Sequence, residues 1–212
     1  MPSKGLVPDV VTYSSIIAGL CKVGRIQSAH ELVHEMQAQG LHPNIQTYGI
    51  LLDGLFKNKQ AIGAMKLFQA MEEKKLPLDI VIYNTLIRGL SKAGNLAGAK
   101  QIFFGLAFKG LQPNVRTYNI MVDALLCEGL LGEAINLHRE MEENGCPPDS
   151  WTYNLMIRGC IKNNEISKAL QLRHEMVDKG FSADASTAEL FVDLVACGKL
   201  DSSLRPLTQK VI

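Results

Sequence analysis

The stretch VVTYSSIIAGLCKVG at residues 10–24 returns four times at one fixed interval. It comes back as IQTYGILLDGLFKNK from 45, IVIYNTLIRGLSKAG from 80, VRTYNIMVDALLCEG from 115 and SWTYNLMIRGCIKNN from 150. The interval is 35 residues, and no insertion interrupts it. A period of that length restricts the fold to an array of small supersecondary pieces, each stacked on the next. Numbering every repeat from 1, place 4 is Tyr13, Tyr48, Tyr83, Tyr118 and Tyr153. Place 20 is Ala29, Ala64, Ala99, Ala134 and Ala169, and place 27 is Met36, Met71, Leu106, Met141 and Met176.

Within one repeat, Tyr83, Leu86, Ile87 and Leu90 fall three and four apart, the spacing of one helical face, and Ala99, Ile102, Phe103 and Leu106 do the same in the second half. Gly24, Gly94 and Gly129 stand where the first helix should end, and Gly40, Gly110, Gly145 and Gly180 where the second should. Helices this short cannot bury an apolar face alone. The expected fold is therefore all-α, a right-handed α-solenoid of stacked 35-residue helix-turn-helix repeats with the first helices lining one face. Residues 10–44, 45–79, 80–114, 115–149 and 150–184 form five repeats of a single array. Asp9 fits place 35 of a preceding repeat, so residues 1–9 read as the tail of a truncated repeat, with Met1 at place 27. Residues 185–212 read as a degenerate sixth repeat and C-terminal cap, with Ala188 in place of the tyrosine. The N-terminal face, without a complete preceding helix pair, is expected to be exposed and adhesive.

A composition of 47% hydrophobic residues supplies a core, and a net charge of +1 excludes a crudely polycationic binder. Cys21, Cys127, Cys146, Cys160 and Cys197 show no CxxC pair and no disulfide-like spacing, which points to reduced thiols. No apolar run reaches the roughly 18 residues of a membrane helix, and the N-terminus lacks the zones of a targeting peptide. One stretch invites an enzymatic reading: HELVH, residues 30–34, spells the helical zinc-protease pattern of two histidines with a glutamate base. The repeat argues against it. The matching stretches MKLFQ, KQIFF, INLHR and LQLRH offer a metal nothing, and no third ligand is identifiable. No nucleotide-binding loop, nucleophile elbow or carboxylate pair stands out either, so the expectation is a non-enzyme with no metal and no cofactor.

Charge is distributed unevenly along the repeat. Places 1–15 of the five repeats carry 8 basic and 3 acidic residues, a net of +5, whereas places 16–35 carry 10 and 14, a net of −4. The first helices thus form the positive stripe a nucleic-acid backbone needs. Lys22, Lys57, Lys92 and Lys162 share place 13, and are candidate phosphate contacts as well as partners for the helix C-terminal dipole; Cys127 holds that place in the fourth repeat.

A 35-residue hairpin opening VVTYN-like, closing its first helix with GLCKxG and joined by PD or PN, resembles the pentatricopeptide repeat family, in register over residues 1–184 and loosely over 185–212. The tetratricopeptide repeat, with its 34-residue period and Trp-x2-Leu-Gly-x2-Tyr signature, fits less well. The unbroken period is similar to the pure-repeat (P) subclass that includes fertility-restorer proteins, and no extension resembling the family's editing or deaminase modules follows. The resemblance implies binding of single-stranded organellar RNA, in the mitochondrion rather than the chloroplast, one repeat per base. It implies base reading by places 5 and 35: Ser14 with Asn44, Gly49 with Asp79, Asn84 with Asn114, Asn119 with Asp149, and Asn154 with Asp184. It implies base stacking at place 2 by Val11, Gln46, Val81, Arg116 and Trp151, of which Gln46 departs from the family pattern. Taken from 5′ to 3′ the pairs correspond to A-G-Y-U-U. Place 35 has a plainer role open to it as well, since Asp or Asn just before a helix is an ordinary N-cap. The alternatives are a scaffold gripping a protein partner, self-association through the exposed N-terminal face, and a truncated array without function.

Overall fold

The turn residues set at fixed places divide the chain into helices. The computed structural model describes residues 8–197. These form α1 (Val10–Lys22), α2 (Ile26–Ala38), α3 (Ile45–Lys57), α4 (Ala61–Glu73), α5 (Ile80–Lys92), α6 (Leu96–Gly105), α7 (Val115–Cys127), α8 (Leu131–Glu143), α9 (Ser150–Lys162), α10 (Ile166–Asp178) and α11 (Ala185–Ala196). The expectations for residues 1–7 and 198–212, most of the N-terminal tail and the end of the sixth repeat, lie outside the described residues. The part of the sixth repeat inside them is α11, which buries Phe191 and Leu194. One helix departs from the pattern. α6 stops at Gly105, a poor helix former where Glu35, Glu140 and Glu175 stand in other repeats, and a 3-10 turn (Ala107–Lys109) completes its course.

Both helix ends follow from local chemistry. Asp9, Asn44, Asp79, Asn114, Asp149 and Asp184 precede the odd-numbered helices in extended backbone, and each side chain accepts an N–H from the first turn. At the C-terminal ends the backbone turns left-handed. Gly24 does so at φ 80°, but Lys59 and Asn164 do it at the same place in repeats 2 and 5, at φ 60° and 61°, and Lys75 ends α4 at φ 51°. The closing hydrogen bond is the same with or without glycine: Arg25 N–H donates to Leu20 O at 2.9 Å, and Gln60 N–H to Leu55 O at 2.9 Å. The hairpin geometry sets the ending, and glycine only eases it.

The chain divides into two compact units, Met1–Gln112 and Pro113–Ile212, with the boundary at the junction of repeats 3 and 4. In the first, α1 packs on α3 and α3 on α5; in the second, α7 packs on α9 and α9 on α11. Each first helix from α1 to α9 also packs on its own second helix. This is the stacking that buries the repeated landmarks. The place-20 alanines are fully buried, allowing close helix approach, and all five tyrosines of place 4 lie inside. Tyr13 Oη donates to Glu35 Oε1 at 3.4 Å; the other four are covered from place 30 of the same repeat. Lys74 Nζ donates to Tyr48 Oη at 3.3 Å, Asn144 Nδ2 to Tyr118 Oη at 3.0 Å, and Lys109 and Lys179 sit over the rings of Tyr83 and Tyr153.

The glycine of GLFK, GLSK and GCIK has a steric cause. A Cβ at Gly54 would lie 2.5 Å from Cys21 Sγ, one at Gly159 2.5 Å from Leu126, and one at Gly89 would run into the Phe56 ring. Place 10 is thus the socket for the place-12 side chain of the preceding repeat. Ile16 is 46% exposed, while its counterparts Leu51, Leu86, Met121 and Met156 are buried.

Candidate nucleic-acid interface

The first helices present three tiers of side chains near their N-terminal ends. Outermost is place 2: Val11, Val81 and Trp151 are large apolar residues left 56–70% exposed, and Gln46 and Arg116 are exposed beside them in their helices. Exposed apolar groups in a row of otherwise well-buried helices mark a surface that something else can cover.

The second tier, place 5, is buried wherever it is asparagine. Asn119 and Asn154 are 7% and 2% exposed, and Asn84 is 4% exposed. Buried amides need partners, and in repeats 1 and 4 the place-5 side chain finds them in the seam with the next repeat. In the seam after repeat 1, Ser14 Oγ lies 2.8 Å from Thr47 Oγ1, which in turn donates to Asn44 Oδ1 at 3.0 Å. In the seam after repeat 4, Thr152 Oγ1 lies 2.8 Å from Asn119 Oδ1 and 2.9 Å from Asp149 Oδ1, and Asn119 Nδ2 reaches Asp149 Oδ1 at 3.4 Å. Threonine at place 3 is therefore the hub joining places 5 and 35. Sequence reasoning passed over it, although the TY dipeptide repeats it at Thr12, Thr47, Thr117 and Thr152.

Repeats 2, 3 and 5 vary this scheme. Place 3 after repeat 2 is Ile82, whose Cδ1 would be 3.1 Å from a Cβ at Gly49, so methyl carbon replaces the polar hub there. Asn84 Oδ1 is buried without a hydrogen-bond partner. Asn154 spends its amide locally: Nδ2 donates to Ser150 O at 2.8 Å, and Oδ1 accepts from Asp184 N–H at 2.9 Å.

The third tier, place 35, is occupied by the helix caps. Thr47 N–H donates to Asn44 Oδ1 at 2.9 Å, Ile82 N–H to Asp79 Oδ1 at 3.1 Å, Thr117 N–H to Asn114 Oδ1 at 3.0 Å, and Thr152 N–H to Asp149 Oδ1 at 2.8 Å. In each case one atom caps the helix. The other, Nδ2 of Asn44 and Asn114 or Oδ2 of Asp79 and Asp149, takes no hydrogen bond among the described residues. Asp184 is different. Its Oδ1 accepts from Thr187 N–H at 2.8 Å, and its Oδ2 accepts from Arg158 Nη1 at 2.7 Å. Burial acts to raise its carboxyl, but the bonds from Thr187 and Arg158 outweigh that and hold it below the usual carboxylate range.

The place-13 lysines sit in the last turns of α1, α3, α5 and α9, where the helix dipole favours them. Lys57 has a second engagement, an ion pair of 2.6 Å with Asp53. Beside it, Lys22, Lys57, Asp53 and Asn58 line a cleft of about 430 Å³ between α1 and α3.

HELVH lies on α2 as helix surface and core stripe. Val33 is buried, His34 and Glu31 are exposed, and His30 is half-buried, with burial and then the neighbouring His34 lowering its pKa. Among the described residues no three His, Cys, Asp or Glu side chains converge as metal ligands would. No helix among them is long and apolar enough to cross a membrane, and all five cysteines are free thiols.

Stacked helix pairs repeated at a fixed 35-residue interval define a helical-repeat protein. Residues 8–57, 78–127, 113–162 and 151–193 match the model described as the PPR repeat family, and residues 46–76 match the PPR repeat itself. The chain belongs to the pentatricopeptide repeat family. A comparison with curated proteins finds no match. Among solved structures the chain is similar to the pentatricopeptide repeat protein PPR10 in complex with an 18-nucleotide psaJ RNA element, at TM-score 0.78 and 22% identity over 97% of this chain. It is also similar to PPR10 from maize, at TM-score 0.70 and 27% identity over its whole length. The PPR domain of Arabidopsis thaliana protein-only RNase P 1, in complex with tRNA, gives TM-score 0.67 and 16% identity over 84% of this chain and 94% of that one. The chain spans about 30% of the length of PPR10.

Proposed function

We propose that the chain binds single-stranded RNA and reads one base per repeat through places 5 and 35, preferring 5′-A-G-Y-U-U-3′. The observation that carries this reading is the division of labour at place 35. One atom of Asn or Asp caps the next helix, and the other stays available for a base edge. A free Nδ2 is a donor, suited to the ring-nitrogen acceptor of adenine or cytosine; a free Oδ2 is an acceptor, suited to the ring N–H of guanine or uracil. Place 2 then packs against the bases, with Trp151 and Arg116 able to stack, and Lys22, Lys57, Lys92 and Lys162 meet phosphates. The RNA held in the solved complexes of PPR10 and the RNase P domain supports RNA as the ligand class. The role is non-catalytic, in organellar RNA processing, stability or translation, in the mitochondrion rather than the chloroplast, as in the fertility-restorer-like proteins of the pure-repeat subclass.

Fluorescence anisotropy tests it, with labelled RNA carrying AGCUU in an unstructured context against a scrambled RNA and the matching DNA. AGCUU should bind tighter than both, and Asn119→Ser should move the fourth-base preference from U toward G. Equal binding of all three strands would remove the reading. One observation favours a second role as a protein scaffold: Phe104 and Phe108, on either side of the α6 break, are 57% and 95% exposed on the second-helix layer. That role predicts binding indifferent to RNA sequence.

A further inference from the structure

Place 9 is Ala18, Asp53, Arg88, Asp123 and Arg158, charged in four of five repeats. In the first unit the arginine reaches back by one repeat: Arg88 Nη2 lies 3.2 Å from Asp53 Oδ1, 35 residues earlier. The equivalent partner of Arg158 is Asp123, also 35 residues earlier, and that pairing is not made. Asp123 is exposed and has no ion pair among the described residues. Arg158 turns forward instead. Its Nη1 lies 2.7 Å from Asp184 Oδ2 and 3.0 Å from Thr187 Oγ1, and its guanidinium carbon is 5.9 Å from the centre of the Trp151 ring. It thereby touches the cap, the place-3 threonine and the place-2 aromatic of one seam. The oxygen it holds is the counterpart of the one left open on Asp79 and Asp149.

We propose that Arg158 is a displaceable gate on the fifth repeat, and so a specificity-determining residue outside places 2, 5 and 35. In the RNA-free protein it occupies Asp184 Oδ2; when a base enters, it moves to Asp123 and adopts the pairing Arg88 makes with Asp53. This rests on the RNA-reading proposal above. The exchange is uphill by a small margin: one partly exposed ion pair replaces another, the Arg158 and Asp184 side chains being 24% and 41% exposed, while the bond to Thr187 and the contact with the Trp151 ring are given up. A uracil at the fifth base must displace the guanidinium, and a uracil at the fourth meets an open Asp149. The fifth repeat should therefore select U over C less sharply than the fourth.

The experiment measures, by anisotropy, the U:C affinity ratio at the fourth and at the fifth base, using AGCUU, AGCCU and AGCUC with the full chain. Ratios are read because removing a cation weakens binding to all three strands alike. Arg158→Gln should raise the fifth-base ratio about two- to fivefold, the net cost of the contacts Arg158 gives up, and leave the fourth-base ratio unchanged. Asp123→Asn, which removes the alternative berth, should lower the fifth-base ratio. The double variant should match Arg158→Gln alone, since Asp123 acts only through the arginine. An unchanged or lowered fifth-base ratio in Arg158→Gln, with the fourth-base preference intact, would overturn the gate and leave RNA reading standing. Loss of preference at both bases in the unmodified chain would overturn the reading and the gate together.

Discussion

His138 shows how a single residue tunes a repeat junction. Place 24 plugs the space against the next repeat's tyrosine: Phe68 meets Tyr83 edge-on with ring centres 5.8 Å apart, and His138 meets Tyr153 in the same way at 5.7 Å. The imidazole is buried as the phenyl ring is, but its Nε2 has no hydrogen-bond partner. Burial lowers its pKa most; Glu142 and Glu175 act to raise it, and Lys179 and Lys168 to lower it further. With the folded pKa below the unfolded value of about 6.5, the unfolded chain binds the proton more readily. Stability should therefore hold above that pH and decline as pH falls through and below it. Denaturant unfolding between pH 7.5 and 5.5 should show that decline, and His138→Phe should reduce it while raising stability at every pH. An unchanged pH profile in the variant would mean His138 does not titrate on unfolding in this range.

At the scale of the helix, endings depend more on hairpin geometry than on residue type. Lys59 and Lys75 hold left-handed backbone at φ 60° and 51° that glycine adopts freely elsewhere in the array. A side chain in that conformation costs roughly 1–2 kcal/mol, partly offset by the greater unfolded-state freedom of glycine. Lys59→Gly and Lys75→Gly should each stabilise the chain by up to about 1 kcal/mol in urea unfolding; destabilisation by either would show that its lysine makes a contact worth more than the strain. These positions also show where sequence reading succeeded. The helix ends at Gly24, Gly94 and Gly129 were legible from glycine, and those at Lys59 and Asn164 only from the 35-residue period. The early stop of α6 was not legible, because a single glycine inside a helix usually leaves it intact. The sockets at Gly54, Gly89 and Gly159 were invisible for another reason: they depend on the place-12 side chain of a neighbouring repeat.

Across the molecule, the array separates a positive stripe on the first helices from a negative balance on the second, at a net charge of only +1. Single-strand binding through four lysine–phosphate contacts should make log affinity fall with log salt at a slope of about −3, roughly a fiftyfold loss between 50 and 200 mM. Lys22→Ala should flatten that slope by about 0.7, and Lys57→Ala by less, because Asp53 already neutralises Lys57 at 2.6 Å. Equal changes from the two would mean that RNA frees Lys57 from its partner. The period located every candidate residue of the site, but not how deep each lies. The stacking buries the asparagines of place 5, and place-3 threonines bond the place-5 side chains of repeats 1 and 4; neither follows from one repeat read alone. The forward turn of Arg158 onto Asp184 has no sequence signal, since Arg88 at the same place turns the other way.

The most direct test of the account is Asp149→Asn, followed by two readouts on one variant. The cap is made by Oδ1, which asparagine keeps, so the unfolding free energy should stay within about 0.5 kcal/mol of the unmodified chain. The atom facing a base changes from acceptor to donor, so the fourth-base preference should move from U to C. A variant that loses stability while its base preference stays the same would contradict the account, leaving place 35 a helix cap and nothing more.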